Sequence, residues 1–452
     1  MLKPRIFGDT QMETSYILSD HGMVLSYEEG KIIQKPLKNI LDFEDLVIIK
    51  NVGFGSYSIQ IKNEEIFSFN SHLTHHNKAV DDHFIKFEYL DNKVVFFKIN
   101  DNYLSSFPDS SMNTLPEAIT WERFRILSEQ ELKRIIYLSQ NSLLIDEKLY
   151  SFSSASTEVM NFGDMRIEFN DLFSDINKNI TEFTFFIDNF PFFAKIINPL
   201  FVYVIFGNGD ILSQFKMSIK SLVDVGKYKG DVLIVTDHEE EVQELCKDYN
   251  LRNVIIIQAT ATATDRLDFV GIRVRMLASD IVKSYSPIFY IDADVLIVKD
   301  INPTLVKSSK FEKISAQLED YLYFNNKIKH NISVGSTLFN ECPFEINDVN
   351  GFNGGVLFVP SGEKFQDIFK IAYIMMVKYT HRNGRESIPF YEQSILNYIL
   401  YKSNNFSPEP VSSITELSCE EVKKDAVFIH YFPAGGERTT HMKNDIKELG
   451  LC

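Results

Sequence analysis

The segment that decides the fold of the carboxyl-terminal half is Pro287–Val298, with the sequence PIFYIDADVLIV. Asp292 and Asp294 interrupt a run of apolar residues that otherwise predicts a β-strand, and burying two unpaired carboxylates is strongly unfavourable. Because one residue separates them, both carboxylates can turn toward a single divalent cation where the strand ends. Oxygen ligands suit Mg²⁺ or Mn²⁺ bound to a diphosphate. The segment therefore predicts a strand that ends at a metal site.

Alternating β and α patterns surround this segment. Apolar residues recur at helical spacing over Phe215–Leu222, and Asp237 can cap a second helix that runs to about Tyr249. Such alternation predicts a mostly parallel sheet with helices on both faces, whose ligands bind beyond the carboxyl ends of the strands. The Gly207–Gly209 loop follows the first strand and is expected at that edge, although neither GxGxxG nor a Walker A sequence occurs. The predicted strands are Phe201–Phe206, Asp231–Val235 and Val254–Ile257.

Three further motifs follow in order: a glycine turn that leads into a strand, the start of a helix, and a strand that ends in histidine. They are Phe352–Val359 (FNGGVLFV), Tyr391–Asn397 (YEQSILN) and Val427–Tyr431 (VFIHY). Together with the Asp-x-Asp strand, these motifs resemble the glycogenin-like retaining glycosyltransferases of family eight over about residues 200–445. The resemblance implies a GT-A domain, an α/β fold with a mostly parallel, Rossmann-like sheet, over residues 199–452.

The resemblance also implies the ligands of the site. Asp292, Asp294 and His430 would bind Mn²⁺ or Mg²⁺, and the Asp292–Asp294 segment, with Ala293 at its centre, would contact the diphosphate of a UDP-sugar donor. A neutral imidazole favours a transition metal over Ca²⁺. The other implied donor contacts are Asn208, Asp210, Arg275, Asn353, Gly354 and Arg438.

Some positions depart from the family pattern. Arg273 could take the place of Arg275, because both lie in the helix that precedes the Asp-x-Asp strand. The family's glycine and Lys-Pro-Trp sequence after the final histidine are missing, so Arg438 or Lys443 would supply the positive charge on the leaving diphosphate.

Glu392 and Gln393 match the family's Asp-Gln pair at the reactive face of the donor sugar and are the implied catalytic residues. Retention could proceed by front-face attack with Gln393 placing the sugar, or through a covalent intermediate on Glu392, and both routes stay open. The implied reaction is transfer of a hexose from a UDP-sugar to a hydroxyl acceptor, such as a bacterial surface polysaccharide or lipooligosaccharide.

Two other functions are possible for a protein with these motifs. One is a carbohydrate- or protein-binding protein whose GT-A domain has lost turnover; the complete set of Asp292, Asp294 and His430 argues against it. The other is a nucleotidyltransferase, which shares the sheet topology, but the glycine-rich activation loop of sugar pyrophosphorylases is absent.

The amino-terminal third contains three β-rich segments of about forty residues. Corresponding positions Leu25, Phe67 and Leu104 are 42 and 37 residues apart, and three such units predict a β-trefoil over residues 1–127. Its last unit, with Tyr103–Ser105 and Trp121–Phe124, resembles the fascin-like trefoil pattern. No unit has the Gln-x-Trp signature of ricin-type trefoils, so the resemblance covers the fold only, and another small β-barrel stays an alternative. A trefoil here could hold the glycan acceptor.

Residues 128–198 are expected to connect the two domains, beginning with a helix capped by Ser128 and Glu131. The Phe183–Phe206 stretch is too interrupted to span a membrane, and its phenylalanines are expected to be buried, which leaves room only for peripheral membrane contact. A net charge of -16 makes nucleic-acid binding unfavourable. Four dispersed cysteines and no visible signal peptide predict a cytoplasmic protein.

Overall fold

The computed structural model describes most of the chain, which divides into two compact units, residues 1–196 and 197–452. The described residues are 14–29, 31–40, 42–53, 56–61, 64–66, 86–90, 93–99, 102–174, 182–207, 209–259, 266–320, 326–384, 391–418, 425–448 and 450.

The first unit begins with one antiparallel sheet of eleven strands. Many chain-neighbouring strands pair with each other, and the last strand returns to pair with the first along Ser15–Ser19. The strands are β1 (Ser15–Ser19), β2 (Met23–Glu28), β3 (Lys31–Pro36), β4 (Ile48–Gly53), β5 (Ser56–Ile61), β6 (Glu64–Ile66), β7 (Lys86–Tyr89), β8 (Val94–Ile99), β9 (Asn102–Ser106), β10 (Met112–Leu115) and β11 (Arg123–Ser128).

The pairing repeats along this sheet. The first strand of the first third, β1, pairs with β2 and with β4. The first strand of the last third, β8, pairs in the same way with β9 and with β11. Leu25, Leu104 and Phe124 from the repeated positions lie together in one buried core. The middle-third positions Phe67 and Phe84 lie outside the described residues.

A helix and a second sheet complete the first unit. The Ser128–Glu131 capping box is confirmed: Ser128 Oγ accepts from the Glu131 amide, and the Glu131 carboxylate accepts from the Ser128 amide. The following strands form a six-stranded sheet, and residues 128–196 belong to the first unit. The elements are α1 (Glu129–Gln140), β12 (Ser142–Ile145), β13 (Lys148–Ala155), β14 (Val159–Phe162), β15 (Met165–Glu168), α2 (Phe169–Phe173), β16 (Glu182–Ile187) and β17 (Phe190–Ile197).

The second unit alternates strands and helices as the sequence predicts. Its elements are β18 (Leu200–Ile205), α3 (Gly209–Asp224), β19 (Asp231–Thr236), α4 (Glu239–Cys246), β20 (Asn253–Gln258), α5 (Arg266–Leu277), β21 (Ile288–Ile291), β22 (Val295–Ile297), α6 (Asn302–Ser308), β23 (Ser315–Leu318), α7 (Ser336–Glu341), β24 (Phe352–Val359), α8 (Gly362–Asn383), α9 (Tyr391–Lys402), α10 (Val411–Ile414), β25 (Thr415–Leu417), β26 (Phe428–His430) and α11 (Arg438–Glu448). The helix after β19 begins past His238, which makes no side-chain cap, so the predicted Asp237 cap is wrong.

A six-stranded sheet forms the centre of this unit, in the order β20-β19-β18-β21-β24-β23. The first four strands are parallel to one another. At the other edge, β24 pairs antiparallel with β21, and β23 pairs antiparallel with β24. Buried apolar side chains lie on both faces of the sheet, because helices cover both. A small sheet, β22-β26-β25, continues from the carboxyl end of β21. No helix among the described residues combines the length and apolar character needed to cross a membrane.

Candidate functional site

The Asp-x-Asp turn joins the two sheets of the second unit. β21 ends at Ile291, and the Asp292 amide donates to the Gly355 carbonyl oxygen of β24 at 2.8 Å. The chain then leaves the central sheet and enters β22 at Val295, in the small sheet. The two carboxylates therefore lie where the strand pairing changes, at the carboxyl edge of the parallel strands.

His430 is brought to the same place by the small sheet. It ends β26 and lies opposite Val295 in the register with β22, while the Tyr431 amide donates to the Asp294 carbonyl oxygen at 2.9 Å. One ligand atom from each of Asp292, Asp294 and His430 lies within 4.8 Å of the others. The structure thus brings together the three residues that the resemblance implied as metal ligands.

The donor atoms of this cluster fit a divalent cation. Asp294 is 4% and His430 2% exposed, and His430 Nε2 lies 3.5 Å from Asp294 Oδ1. Within the described part of the chain, neither ring nitrogen of His430 has a hydrogen-bond partner, which is unusual for a buried imidazole. Two carboxylates and one imidazole nitrogen are ligands that suit Mn²⁺ or a similar transition metal.

The position of the His430 imidazole requires a glycine at residue 355. A Cβ added at Gly355 would lie 2.1 Å from His430 Cε1, closer than any side chain could approach without movement. The neighbouring Gly354 contacts Arg273 in the same way, with an added Cβ 3.0 Å from its guanidinium. The Gly354–Gly355 pair therefore lets β24 pack directly against two functional side chains.

Arg273 contacts two carboxylates and one backbone carbonyl oxygen. From α5 it donates to the Gly354 carbonyl oxygen at 2.6 Å, forms a buried ion pair with Glu392 at the start of α9, and lies 3.7 Å from Asp292 Oδ1. Its guanidinium also stacks over Tyr290, 4.6 Å from the ring centre. Arg273 rather than Arg275 is therefore the α5 arginine at this site.

The two carboxylates of the Asp-x-Asp turn have opposite pKa shifts. Burial raises the pKa of the Asp292 carboxyl, against the effect of Arg273, and the Asp294 charge adds to the rise. Burial also opposes ionisation of Asp294, but His430 and Arg438 outweigh it, so the pKa of that carboxyl is lowered. Tyr290 supports Asp292 by donating its hydroxyl to Oδ1 at 2.5 Å. A positive charge placed between the carboxylates would favour the ionised form of both.

Glu319 is a site residue that the sequence analysis missed. It follows β23, and its Oε1 accepts from Gln393 Nε2 at 3.1 Å and Asn353 Nδ2 at 3.3 Å. The oxygens of those two amides accept in turn from the Gly354 and Gly355 amides. Burial raises the pKa of the Glu319 carboxyl. No motif surrounds this glutamate, so only its position after a buried strand could have indicated it.

The other implied donor residues are placed as follows. Arg438 is partly exposed, with Nη1 3.1 Å from Asp294 Oδ2, and it belongs to the cluster. Arg275 is exposed, and its guanidinium lies over Tyr373 of α8 at 5.6 Å from the ring centre; the structure does not bring it to the carboxylates.

Ala293 is buried between the two aspartates. Asp210 is exposed in the first turn of α3, and Asn208 lies outside the described residues.

Comparison with known families supports a glycosyltransferase. Residues 216–436, just under half of the chain, match the sequence model of the family described as glycosyl transferase family 8. The matched span contains Arg273, Asp292, Asp294, Glu319 and His430, and it implies a GT-A α/β fold for the second unit, in agreement with the sheet order. No curated protein sequence matches the chain.

Among solved structures, the chain is similar to the crystal structure of mouse xyloside xylosyltransferase 1 in its apo form. The identity is 11%, the alignment covers 52% of this chain and 98% of that chain, and the TM-score is 0.35.

Proposed function

We propose that the protein transfers a hexose from a UDP-sugar to a hydroxyl group of a glycan acceptor, with retention of the anomeric configuration and with a divalent metal. The observation that carries this proposal is the convergence of Asp292, Asp294 and His430 at the carboxyl edge of the central sheet. This cluster lies inside the span that matches glycosyl transferase family 8.

Asp292, Asp294 and His430 would hold the metal. The bound cation would supply positive charge to the diphosphate oxygens of the donor. Arg438, partly exposed and 3.1 Å from Asp294, would add a second positive charge on the same side. Together these charges would stabilise UDP as the leaving group while the bond to the sugar breaks.

The donor sugar would lie against β24 and the start of α9. Gly354 and Gly355 let β24 pack directly against Arg273 and His430, and the amides of Asn353 and Gln393 are held in fixed orientations by Glu319. Fixed amides can hydrogen-bond sugar hydroxyls without first being ordered. Asp210 and Asn208 would contact the nucleoside from the loop after β18.

Glu392 would act through Arg273 and not on the donor sugar. Its carboxylate is buried and forms an ion pair with Arg273, so we infer that it acts by holding the guanidinium next to Asp292. Gln393 is then the residue that faces the sugar, which favours front-face attack over a covalent intermediate on Glu392. Nuclear magnetic resonance of the first product formed would report whether the configuration is retained.

We infer that the first eleven strands form a β-trefoil. Support comes from the pairing of β1 with β4 and β11, and of β8 with β7, β9 and β11, which is the connectivity expected around the first and third units of a trefoil barrel. That this unit holds the acceptor glycan stays a prediction.

The reaction is tested by incubating the full chain with UDP-glucose, UDP-galactose or UDP-GlcNAc and Mn²⁺, with and without EDTA. We expect release of UDP from at least one donor and its loss with EDTA. The matched control is Asp294→Asn, which keeps the size of the side chain and removes its charge. Release of pyrophosphate would instead favour a nucleotidyltransferase. Donor binding with no product from any acceptor or water would favour a binding protein with an inactive GT-A domain.

A further inference from the structure

One face of α8 exposes apolar side chains although the helix is packed on its other side. Its inner face contacts α5 and α9 through Phe365, Phe369, Ala372 and Met376. On the outer face, Ile371, Ile374 and Val377 are 53%, 51% and 45% exposed. The spacing of three residues places these aliphatic side chains in one stripe along the helix.

Basic residues border this stripe. Lys370 and Lys378 lie four residues before and after Ile374, so they flank it along the helix axis. Arg275 of α5 lies beside the same helix, with its guanidinium over Tyr373. Lys370 is paired with Asp367 at 3.5 Å, whereas Lys378 and Arg275 form no ion pair with any described residue. We call Arg275, Lys370, Ile371, Ile374, Val377 and Lys378 the α8 face.

The charge of this face is opposite to that of the whole protein. The chain has a net charge of -16, with 62 acidic residues among 452, yet no Asp or Glu occurs from Ile368 to Gly384. Three carboxylates that contact this helix have partners: Asp367 pairs with Lys370, Asp280 accepts from Gln366 and Glu341 accepts from the Tyr379 hydroxyl. An anionic partner would therefore be repelled by most of the protein surface and attracted at the α8 face.

We propose that the α8 face docks on a membrane surface that contains anionic phospholipids. Interleaved lysine and isoleucine suit a lipid interface, because the long lysine side chains reach headgroup phosphates while the aliphatic groups enter the acyl boundary. Protein interfaces differ in composition, since their centres are depleted in lysine and enriched in aromatic residues. The α8 face presents two lysines and one arginine, and none of the six residues that define it is aromatic.

The proposal does not depend on the glycosyltransferase reaction and is tested on the full chain with vesicles. We expect co-sedimentation with vesicles of phosphatidylcholine and phosphatidylglycerol, weak or no binding to phosphatidylcholine alone, and release at high salt. Ile374→Glu should lower the partition coefficient at least about tenfold, and Lys370→Gln with Lys378→Gln about fivefold for each lysine. Because all three side chains are exposed, the thermal unfolding midpoint should not change.

Matched controls are Lys247→Gln, an exposed lysine that directly follows α4, and Ile119→Glu, an exposed isoleucine of the first unit; neither should alter partitioning. Equal binding to both kinds of vesicle, or equal losses in the controls, would overturn the proposal. So would absence of binding at low salt, or a dimer in solution that Ile374→Glu dissociates, which would assign the face to a second copy of the chain. Release of UDP from a soluble donor should be the same for Ile374→Glu and the native protein.

Discussion

Gly355 and His430 are in direct contact across the two sheets of the second unit: a Cβ added to the glycine would lie 2.1 Å from Cε1 of the imidazole. The glycine in β24 therefore determines how closely the central sheet approaches the histidine that ends β26. The Gly355 carbonyl oxygen also accepts a hydrogen bond from the Asp292 amide. One residue thus positions two of the three implied metal ligands.

Gly355→Ala should displace the imidazole. We predict a loss of at least about tenfold in Mn²⁺ affinity, the range seen when residues that orient ligands are changed, and a destabilisation of about 1–3 kcal/mol from overpacking. Isothermal titration and urea unfolding would measure the two effects. Gly271→Ala in α5 is the matched control, because its Cβ would meet Tyr373 at an ordinary 3.7 Å. Native metal affinity in Gly355→Ala would show that His430 is not a ligand.

The two arginines of α5 should behave differently. Arg273→Met leaves Glu392 buried without its cation, so we predict a destabilisation of about 3–5 kcal/mol and loss of transfer. Arg275→Met removes only an exposed contact with Tyr373. It should lower the free energy of unfolding by less than about 1 kcal/mol. Urea unfolding and UDP release would compare them.

A double variant separates charge pairing from other roles of Arg273. Glu392→Gln combined with Arg273→Met removes both charges, so stability should recover in part while transfer stays low. If Arg275→Met abolished transfer and Arg273→Met did not, the placement of the donor site on the Arg273 side of α5 would be wrong.

Glu319 should make stability fall as the pH rises. Burial raises the pKa of its carboxyl in the folded protein, so the folded state binds the proton more tightly than the unfolded state, in which the value is about 4.3. The stability gained from this tighter proton binding is fully present below about pH 4.3. It is lost as the pH rises through the folded pKa of Glu319. Glu319→Gln should therefore become more stable relative to the native protein as the pH rises above about 4.3. If the unfolding midpoints of Glu319→Gln and of the native protein change in parallel with pH, the burial argument is contradicted.

Local patterns predicted much of the second unit. The strand residues before Asp292, the helix that begins at Tyr391 and the strand that ends at His430 all form as expected, because long apolar runs and helical spacing mark buried elements. The predicted strand over Asp231–Val235 is confirmed as well.

Features that depend on tertiary packing were harder to predict. Helical position decided between Arg273 and Arg275, since residues two apart face different sides, and the sequence shows no sign of which side faces the site. Glu319 was missed because one glutamate after a strand resembles any surface residue. In β16 and β17, Phe186, Phe190 and Phe193 were expected to be buried and are exposed.

The central claim is that Asp292, Asp294 and His430 form a divalent metal site for the donor diphosphate. Electron paramagnetic resonance of Mn²⁺ titrated into the full chain with UDP tests it most directly. We predict one bound Mn²⁺ per chain, with affinity reduced at least about tenfold in Asp294→Asn and His430→Ala, and unchanged in His441→Ala, an exposed histidine of α11. Native Mn²⁺ affinity in folded Asp294→Asn and His430→Ala proteins would contradict the account.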